Sequence, residues 1–214
     1  MPPFVDSLSD SSERSVEWKY TGHFLQMGVL HYTQPKTHRQ LDYECVRRTT
    51  KKQQIDGVFI LPIIKGSAYK EPHILVIKGY RAPVESFSLS FPAGLVDEGE
   101  QPSETALREL KEETGYTGEL IEPILPFSYF CDPWKSNEEQ MVFVAEIDMD
   151  REENKHPKQC LEDTEMISTF IVPISTLGSF LKEKEEQGMI VSSSLHIVSS
   201  VLSPDSMFTR IDTL

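Results

Sequence analysis

The chain has 214 residues, and its 34 acidic side chains outnumber its 21 basic ones, which gives a formal net charge of −13. This balance argues against a nucleic-acid-binding protein, because such proteins bind phosphates with clustered lysines and arginines. An anionic substrate of so acidic a protein would need a bound cation and a few well-placed arginines.

The N-terminus and the cysteines bear on where the protein works. The first residues, MPPFVDSLSDSSERSVEW, lack the basic start and apolar core of a signal peptide. No apolar run approaches the length of a membrane span, so no membrane partner is expected. Cys45, Cys131 and Cys160 form no C-x-x-C pair and are expected to be reduced thiols. These features predict a cytoplasmic protein, with the nucleus as the alternative compartment.

Alternating polar and apolar residues predict strands along most of the chain. Residues 1–16 are rich in Ser, Asp and Pro and are predicted to be a disordered tail. Residues 17–50 alternate around a turn at 35–39 and are predicted to form an antiparallel β meander. Residues 51–214 are predicted to form the main domain. Its predicted strands are GVFILPII (57–64), HILVIKGYR (73–81), SFSLSF (86–91), GELIEPIL (118–125), EQMVFVAEID (139–148) and TFIVPI (169–174).

One strong helix and two weaker ones complete the pattern. The strong helix is expected to begin at Pro102, with Gln101 as a weak N-cap, and to stop at Gly115. Two further helices are predicted over 174–187 and 189–202. Strands with few helices predict an α+β domain with α/β/α layers. The face of the strong helix that packs on the sheet is predicted to consist of Ala106, Leu107, Leu110 and Thr114.

Three carboxylates share another face of this helix. Glu109, Glu112 and Glu113 stand at i, i+3 and i+4. Like charges four residues apart repel, and carboxylates are less favourable near a helix C-terminus, so local stability does not explain the cluster. A hard divalent cation with oxygen ligands would explain it. The alternative is a solvated acidic face in which Arg108 pairs with Glu104 and Glu112.

The spacing around the glutamates distinguishes these interpretations. Gly94 is followed after five residues by Glu100, and after seven more by RELKEETGY (108–116). This pattern resembles the Nudix box, G-x5-E-x7-R-E-U-x-E-E-x-G-U with U apolar, at every fixed position. The resemblance implies the Nudix fold, an α/β/α sandwich of the α+β class, and an enzyme that cleaves nucleoside diphosphates linked to other groups.

The resemblance also assigns roles within the box. Mg²⁺ would be bound, with Mn²⁺ as the alternative, and the carbonyl of Ala93 would be one ligand. Arg108 would orient the catalytic glutamates, and Glu100 would support them. Bound metal would neutralise pyrophosphate oxygens and lower the pKa of a bound water. The remaining metal ligands would be Glu109, Glu112 and Glu113.

Segments outside the box narrow the range of possible substrates. YECVRRTT (43–50), DGV (56–58), YRAP (80–83) and FPAGL (91–95) resemble the ADP-sugar pyrophosphatase branch of the family. By that resemblance, two arginines would bind the diphosphate or ribose phosphate, for which guanidinium geometry is suited. The alternative is two surface arginines at strand ends. The arginines are Arg48 and Arg81.

Two aromatic positions bear on recognition of the base. Relatives stack adenine between two aromatic side chains, one from each subunit of a dimer, and Tyr43 and Phe24 stand at the matching positions. Relatives of the animal type carry Trp at both, so this sequence departs from them. The alternative places Phe24 in the core of the meander. The resemblance implies a homodimer formed through residues 17–50.

The remaining matches lie after the box. Glu165 matches the carboxylate that relatives use as general base on a mobile loop. The alternative is an ordinary charged loop. Asp132 aligns with a loop that lines the substrate. Trp134 stands where relatives have Gly, and Ser90 stands where they usually have Glu, so the sugar end of the pocket is expected to differ.

These observations predict Mg²⁺-dependent hydrolysis of the pyrophosphate of a nucleoside diphosphate sugar, with ADP-ribose cleaved to AMP and ribose 5-phosphate. Trp134, Tyr43 and Ser90 leave room for two other enzymes, a UDP-glucose-type sugar pyrophosphatase and a hydrolase of oxidised nucleoside diphosphates. A non-catalytic nucleotide-sensing Nudix module is the alternative from another class. Such modules typically lose box glutamates, whereas this chain keeps them all.

Overall fold

The computed structural model describes residues 14–34, 36–51, 54–121 and 128–202. They form two compact units. The first comprises the described residues up to Asp56 together with Ser128–Gln140, and the second comprises the rest from Gly57 onward. In the described part of the chain, none of the helices combines the length and apolar character that crossing a membrane requires.

The first unit contains the N-terminal antiparallel sheet. Its strands are β1 (Arg14–Thr21), β2 (Leu25–Thr33) and β3 (Gln40–Arg48), in that order. The predicted β meander is therefore present. The predicted tail is too long by three residues, because β1 begins at Arg14 and pairs there with Tyr32. The other residues of that tail, 1–13, lie outside the described residues.

The second unit is built on a mixed sheet. In it the strand order is β12-β6-β5-β4-β10-β8, with β7 beside β4 and β11 beside β5. The predicted strand over 118–125 is described only as far as Ile121. Strand β9 (Ser128–Phe130) and the first two residues of β10 belong to the first unit. The strands of the second unit are β4 (Gly57–Lys65), β5 (His73–Arg81), β6 (Ser86–Ser90), β7 (Ala93–Leu95), β8 (Glu119–Ile121), β10 (Glu139–Asp148), β11 (Ile167–Pro173) and β12 (Ile190–Val191).

Three helices cover the two faces of this sheet. Helix α1 (Pro102–Thr114) contacts β4, β7, β8 and β11, whereas α2 (Leu177–Glu186) and α3 (Ser193–Leu202) contribute to the opposite core. On β5, Leu75 and Ile77 are fully buried and alternate with members of that core, so they point to the α1 face. This α/β/α arrangement confirms the predicted fold class. The opposite core comprises Phe59, Ile74, Val76, Leu89, Phe91, Val172, Leu177, Leu181 and Leu195.

Three predictions about the helices are wrong in detail. Residues 189–202 are not one helix, because Ile190 and Val191, both β-branched, form a short strand parallel to β6. Helix α3 starts only after Ser192, whose Oγ accepts the Leu195 N–H at 3.3 Å. Leu107 does not pack on the sheet and is 39% exposed. The helix over 174–187 begins as a 3₁₀ turn, Ile174–Thr176.

Candidate active site

The helix that carries the three glutamates begins and ends where the sequence predicts. The Gln101 N–H donates to the Glu104 carboxylate at 3.0 Å, and Pro102 occupies the first helical position. At the other end, Gly115 has a φ of 78°, and a Cβ there would lie 2.5 Å from the backbone nitrogen of Lys158. Glycine is therefore required both for the left-handed backbone and for the close approach of the neighbouring chain.

Arg108 holds three of the box carboxylates together. Its Nε and Nη2 donate to the two oxygens of Glu100 at 2.9 and 3.0 Å. Its Nη1 donates to Glu109 at 2.9 Å and to Glu112 at 3.0 Å, and Nη2 also reaches the Leu95 carbonyl at 3.2 Å. These hydrogen bonds lower the pKa of Glu100 to about 2 and raise that of Arg108. One guanidinium thus fixes the orientation of the glutamates around it.

Glu113 is buried and lies apart from this network. It is 3% exposed, and its Oε2 accepts the Ala93 N–H at 3.0 Å. Burial raises its pKa to about 8, the Ala93 hydrogen bond opposes that rise, and the charges of Glu109 and Glu165 add to it. Burial also raises the pKa of Glu109, although Arg108 counteracts it. Two neighbouring carboxylates are therefore costly to ionise without another cation.

This burial decides against the solvated acidic face. The predicted pair between Arg108 and Glu112 forms, but Glu104 bonds the Gln101 N–H instead. A face that contains a carboxylate as buried as Glu113 is not a solvated one.

Gly94 makes room for one of the carboxylates. A Cβ at this position would lie 1.9 Å from Cδ of Glu109, so a side chain here would displace that carboxylate. The fold thus requires glycine at this position of the box for a steric reason. Gly94 lies on β7, opposite Val58 of β4, which places the strand directly beneath the helix.

The donor set fits a hard divalent cation. Across the ranges that the structure describes, no three His, Cys, Asp or Glu side chains already stand in the arrangement of a metal site. The fit rests on two other observations. The donors are carboxylate oxygens, which Mg²⁺ and Mn²⁺ prefer. The side chains of Glu109 and Glu113 are crowded and largely buried, and burial raises the pKa of both carboxyls.

A cavity of about 250 Å³ lies beside these carboxylates in the same unit. Its walls include Tyr80 and Arg81 from the end of β5, and Glu162 and Glu165 from the loop before β11. The charges of Arg81 and Glu165 act on Glu113 in opposite directions. The structure thus brings together seven of the predicted site residues in this unit, namely Arg81, Ala93, Arg108, Glu109, Glu112, Glu113 and Glu165.

The other predicted polar residues lie in the first unit. Arg48 Nη2 donates to Glu138 at 2.9 Å, and its Nε is buried without a hydrogen-bond partner among the described residues. The Asp132 carboxylate pairs with Lys135 at 3.0 Å. Both side chains therefore have ionic partners in the absence of substrate.

The predicted aromatic residues are on the surface of the first unit. Phe24 is 59% exposed and stacks edge-on with His23, so its assignment to the core of the meander is wrong. Tyr43 on β3 is 48% exposed. Trp134, one of the two departures from the family pattern, is also exposed, with Lys135 over its ring. The other departure, Ser90, has a buried Oγ without a hydrogen-bond partner in the described ranges.

Three supporting residues are not predicted by the sequence pattern. Thr105, in the first turn of the helix, donates to Glu100 in the preceding loop at 2.7 Å, a contact that helical periodicity does not mark. Glu138 bonds Arg48 across 90 residues of sequence. Gln159 donates to the carbonyl of Glu113. The last two contacts are long-range and leave no periodic pattern in the sequence.

Comparisons with known proteins agree with this geometry. Residues 55–192 match the NUDIX domain. An ADP-ribose pyrophosphatase of Saccharomyces cerevisiae is 39% identical over 143 residues, 67% of this chain and 61% of the relative. An ADP-sugar pyrophosphatase of Mus musculus is 35% identical over 157 residues, 73% of this chain and 70% of the relative.

A solved structure agrees in fold. The crystal structure of an ADP compounds hydrolase covers 80% of this chain and 84% of its own, with a TM-score of 0.59 and 21% sequence identity. At that identity the likeness concerns the fold alone.

Proposed function

The chain belongs to the Nudix family, and we propose that it hydrolyses the pyrophosphate of a nucleoside diphosphate sugar. The favoured substrate is ADP-ribose, with AMP and ribose 5-phosphate as products. The proposal rests on one observation, the arrangement of the helix and the cavity beside it. The helix places Glu109 and Glu112 on Arg108 and buries Glu113, and the cavity is lined by Arg81 and Glu165. The names of the yeast and mouse relatives support the choice of substrate.

The proposed cofactor is Mg²⁺, with Mn²⁺ as the alternative. When bound, the cation neutralises pyrophosphate oxygens and makes water more acidic. The proposed ligands are the carbonyl of Ala93 and the carboxylates of Glu109, Glu112 and Glu113.

The residues around this site have separate proposed roles. Arg108 keeps Glu109 and Glu112 in position through its hydrogen bonds, and Arg81 offers a guanidinium to the anionic substrate. Glu165 is the proposed general base, which accepts a proton from the attacking water as a P–O bond of the anhydride breaks. Its place in the wall of the cavity supports this role.

Recognition of the rest of the substrate is proposed on the family resemblance. Arg48 and Asp132 are proposed to contact the phosphate and sugar portions. Tyr43 and Phe24 are proposed to stack on adenine in a homodimer, and their exposure supports a surface role. The proposed compartment is the cytoplasm, with the nucleus as the alternative.

Light scattering at micromolar concentration should give the mass of a dimer, and a monomer mass would exclude the shared base site.

A second candidate is a UDP-glucose-type sugar pyrophosphatase or a hydrolase of oxidised nucleoside diphosphates. The observation that favours it is the exposed indole of Trp134, where relatives have Gly, because its bulk would alter the sugar end of the pocket. A non-catalytic nucleotide-sensing module is the remaining candidate, and calorimetric binding without turnover would favour it.

A substrate panel tests the proposal. Purified protein with Mg²⁺ is given ADP-ribose, UDP-glucose and an oxidised guanine nucleoside diphosphate in competition, and the released nucleotides are quantified. AMP from ADP-ribose should predominate. Release of UMP or of the oxidised guanosine monophosphate without AMP would establish the second candidate. Glu113→Gln should release AMP far more slowly, and full activity of that variant would contradict the metal assignment.

A further inference from the structure

The last turn of α1 is capped by the chain segment that leads to Glu165. Carbonyls at a helix C-terminus lack partners within the helix. The Cys160 N–H donates to the Glu112 carbonyl at 2.9 Å, and the side-chain amide of Gln159 donates to the Glu113 carbonyl. Two consecutive residues of this segment therefore bond the backbone of two proposed metal ligands.

The Gln159 amide also reaches the far end of the same loop. It donates to the Ile167 carbonyl at 3.3 Å, and Ile167 is the first residue of β11, paired with Gly79 of β5. A primary amide has two N–H groups, so one nitrogen can make both bonds. Residues 160–166 thus form a loop whose two ends are joined by one side chain, and Glu165 lies within it.

The turn that carries Glu165 is closed on itself. The Glu165 carboxylate accepts the Glu162 N–H at 2.8 Å, and the Glu165 N–H donates to the Glu162 carbonyl at 2.9 Å. This turn forms one wall of the cavity that Arg81 lines from β5. Because the turn is held locally, its distance from helix α1 depends on where the ends of the loop are attached.

We infer that Gln159 is a positioning residue for the hydrolysis. By joining the carbonyls of Glu113 and Ile167, its amide fixes the separation between the helix that would hold the cation and the turn that carries Glu165. Gln159 acts through Glu165 and does not contact the substrate. The inference rests on the proposed role of Glu165 as general base.

The test is a double-mutant cycle on kcat for ADP-ribose with Mg²⁺. Gln159→Met keeps the length of the side chain but removes both N–H donors. Its kcat should fall about 10- to 100-fold, as expected when a reacting group is displaced by about 1 Å. KM and the Mg²⁺ concentration for half activity should stay within about twofold, since binding groups are unchanged. The matched control is Gln187→Met, an exposed glutamine at the end of α2, whose kinetics should equal those of the wild type.

The second arm combines Gln159→Met with Glu165→Gln. If Gln159 acts through Glu165, the double variant should be no slower than Glu165→Gln alone, to within about twofold. Kinetic values refer to protein that melts in one cooperative transition. If Gln159→Met does not, then Gln159→Asn, which keeps an amide but shortens the side chain, completes the cycle with a smaller loss.

The outcomes distinguish a failure of Glu165 as general base from a failure of Gln159 as positioning residue. Full activity of Glu165→Gln would remove the proposed general base, and Gln159 would lose its role with it. A second outcome is that Glu165→Gln is impaired and the double variant loses kcat by the product of the two single losses. That result would support the general base but overturn the positioning role of Gln159. A Gln159 variant with wild-type kcat, or one that changes only KM, would overturn it as well.

Discussion

The box helix and the N-terminal sheet hold their proposed functional residues in opposite ways. On the helix, Glu113 is 3% exposed and Arg108 fixes Glu109 and Glu112 by hydrogen bonds. On the sheet, Phe24 and Tyr43 are 59% and 48% exposed. The carboxylates are thus held in place by the protein itself, whereas the two aromatic rings are largely open to solvent. Changes on the helix should therefore reduce kcat, and changes on the sheet should raise KM.

The largest effect is expected from Glu113→Gln. The substitution preserves the shape of the side chain but removes a buried negative charge that would hold the cation. We expect kcat for ADP-ribose to fall on the order of 10³-fold, the upper range for loss of a preorganised electrostatic group. The control is Glu119→Gln, an exposed glutamate paired with Arg151, which should keep wild-type kcat. If kcat of Glu113→Gln is within about tenfold of the wild-type value, the buried carboxylate does not determine kcat as the comparison requires.

A smaller loss is expected from Gly94→Ala. Its Cβ would lie 1.9 Å from Cδ of Glu109, so the carboxylate must move away from Arg108. We expect kcat to fall and the Mg²⁺ requirement to rise, each about 10- to 100-fold, as for displaced supporting groups at metal sites. Gly178→Ala in α2 is the control, because its Cβ would approach no atom closer than 3.6 Å. Equal kinetics of the two alanine variants would show that the contact with Glu109 has no catalytic consequence.

The exposed side of the comparison is tested by Tyr43→Ala and Phe24→Ala. Loss of a ring that stacks on a base should raise KM for ADP-ribose about tenfold while kcat changes little. Tyr20, another exposed tyrosine of the same sheet, supplies the control variant Tyr20→Ala. A loss confined to kcat would place these rings in a structural role instead.

The last prediction concerns the free energy of unfolding and its pH dependence instead of the kinetics. Glu113 has a folded pKa of about 8 against an ordinary value of 4.5. The folded protein therefore binds this proton more tightly than the unfolded chain does. The resulting stabilisation is fully present below pH 4.5 and is lost as the pH rises through 8. In EDTA, the free energy of unfolding of the wild type should therefore decline relative to Glu113→Gln between pH 5 and pH 9. Urea unfolding of both proteins measures it, and parallel pH dependences would contradict the burial of this charge.

The sequence predicted the helix better than its surroundings for a physical reason. The bounds of α1 follow from Pro102 and Gly115, whose backbone preferences are local, and the box spacing follows from one helical face. The contacts of Gln159 with Glu113 and of Arg48 with Glu138 join residues 46 and 90 positions apart. The exposure of Leu107 and the strand at Ile190 likewise depend on tertiary packing, which overrides local periodicity.

The central claim is that the box glutamates bind a divalent cation, and calorimetric titration with Mn²⁺ tests it most directly. At pH 7, Glu113 is mostly protonated in the metal-free protein, because its pKa is about 8. Binding should therefore release about one proton, measured as a dependence of the heat on the ionisation enthalpy of the buffer. Glu113→Gln should bind more weakly and release fewer protons. Equal affinity and equal proton release in the two proteins, or no binding by the wild type, would contradict the account.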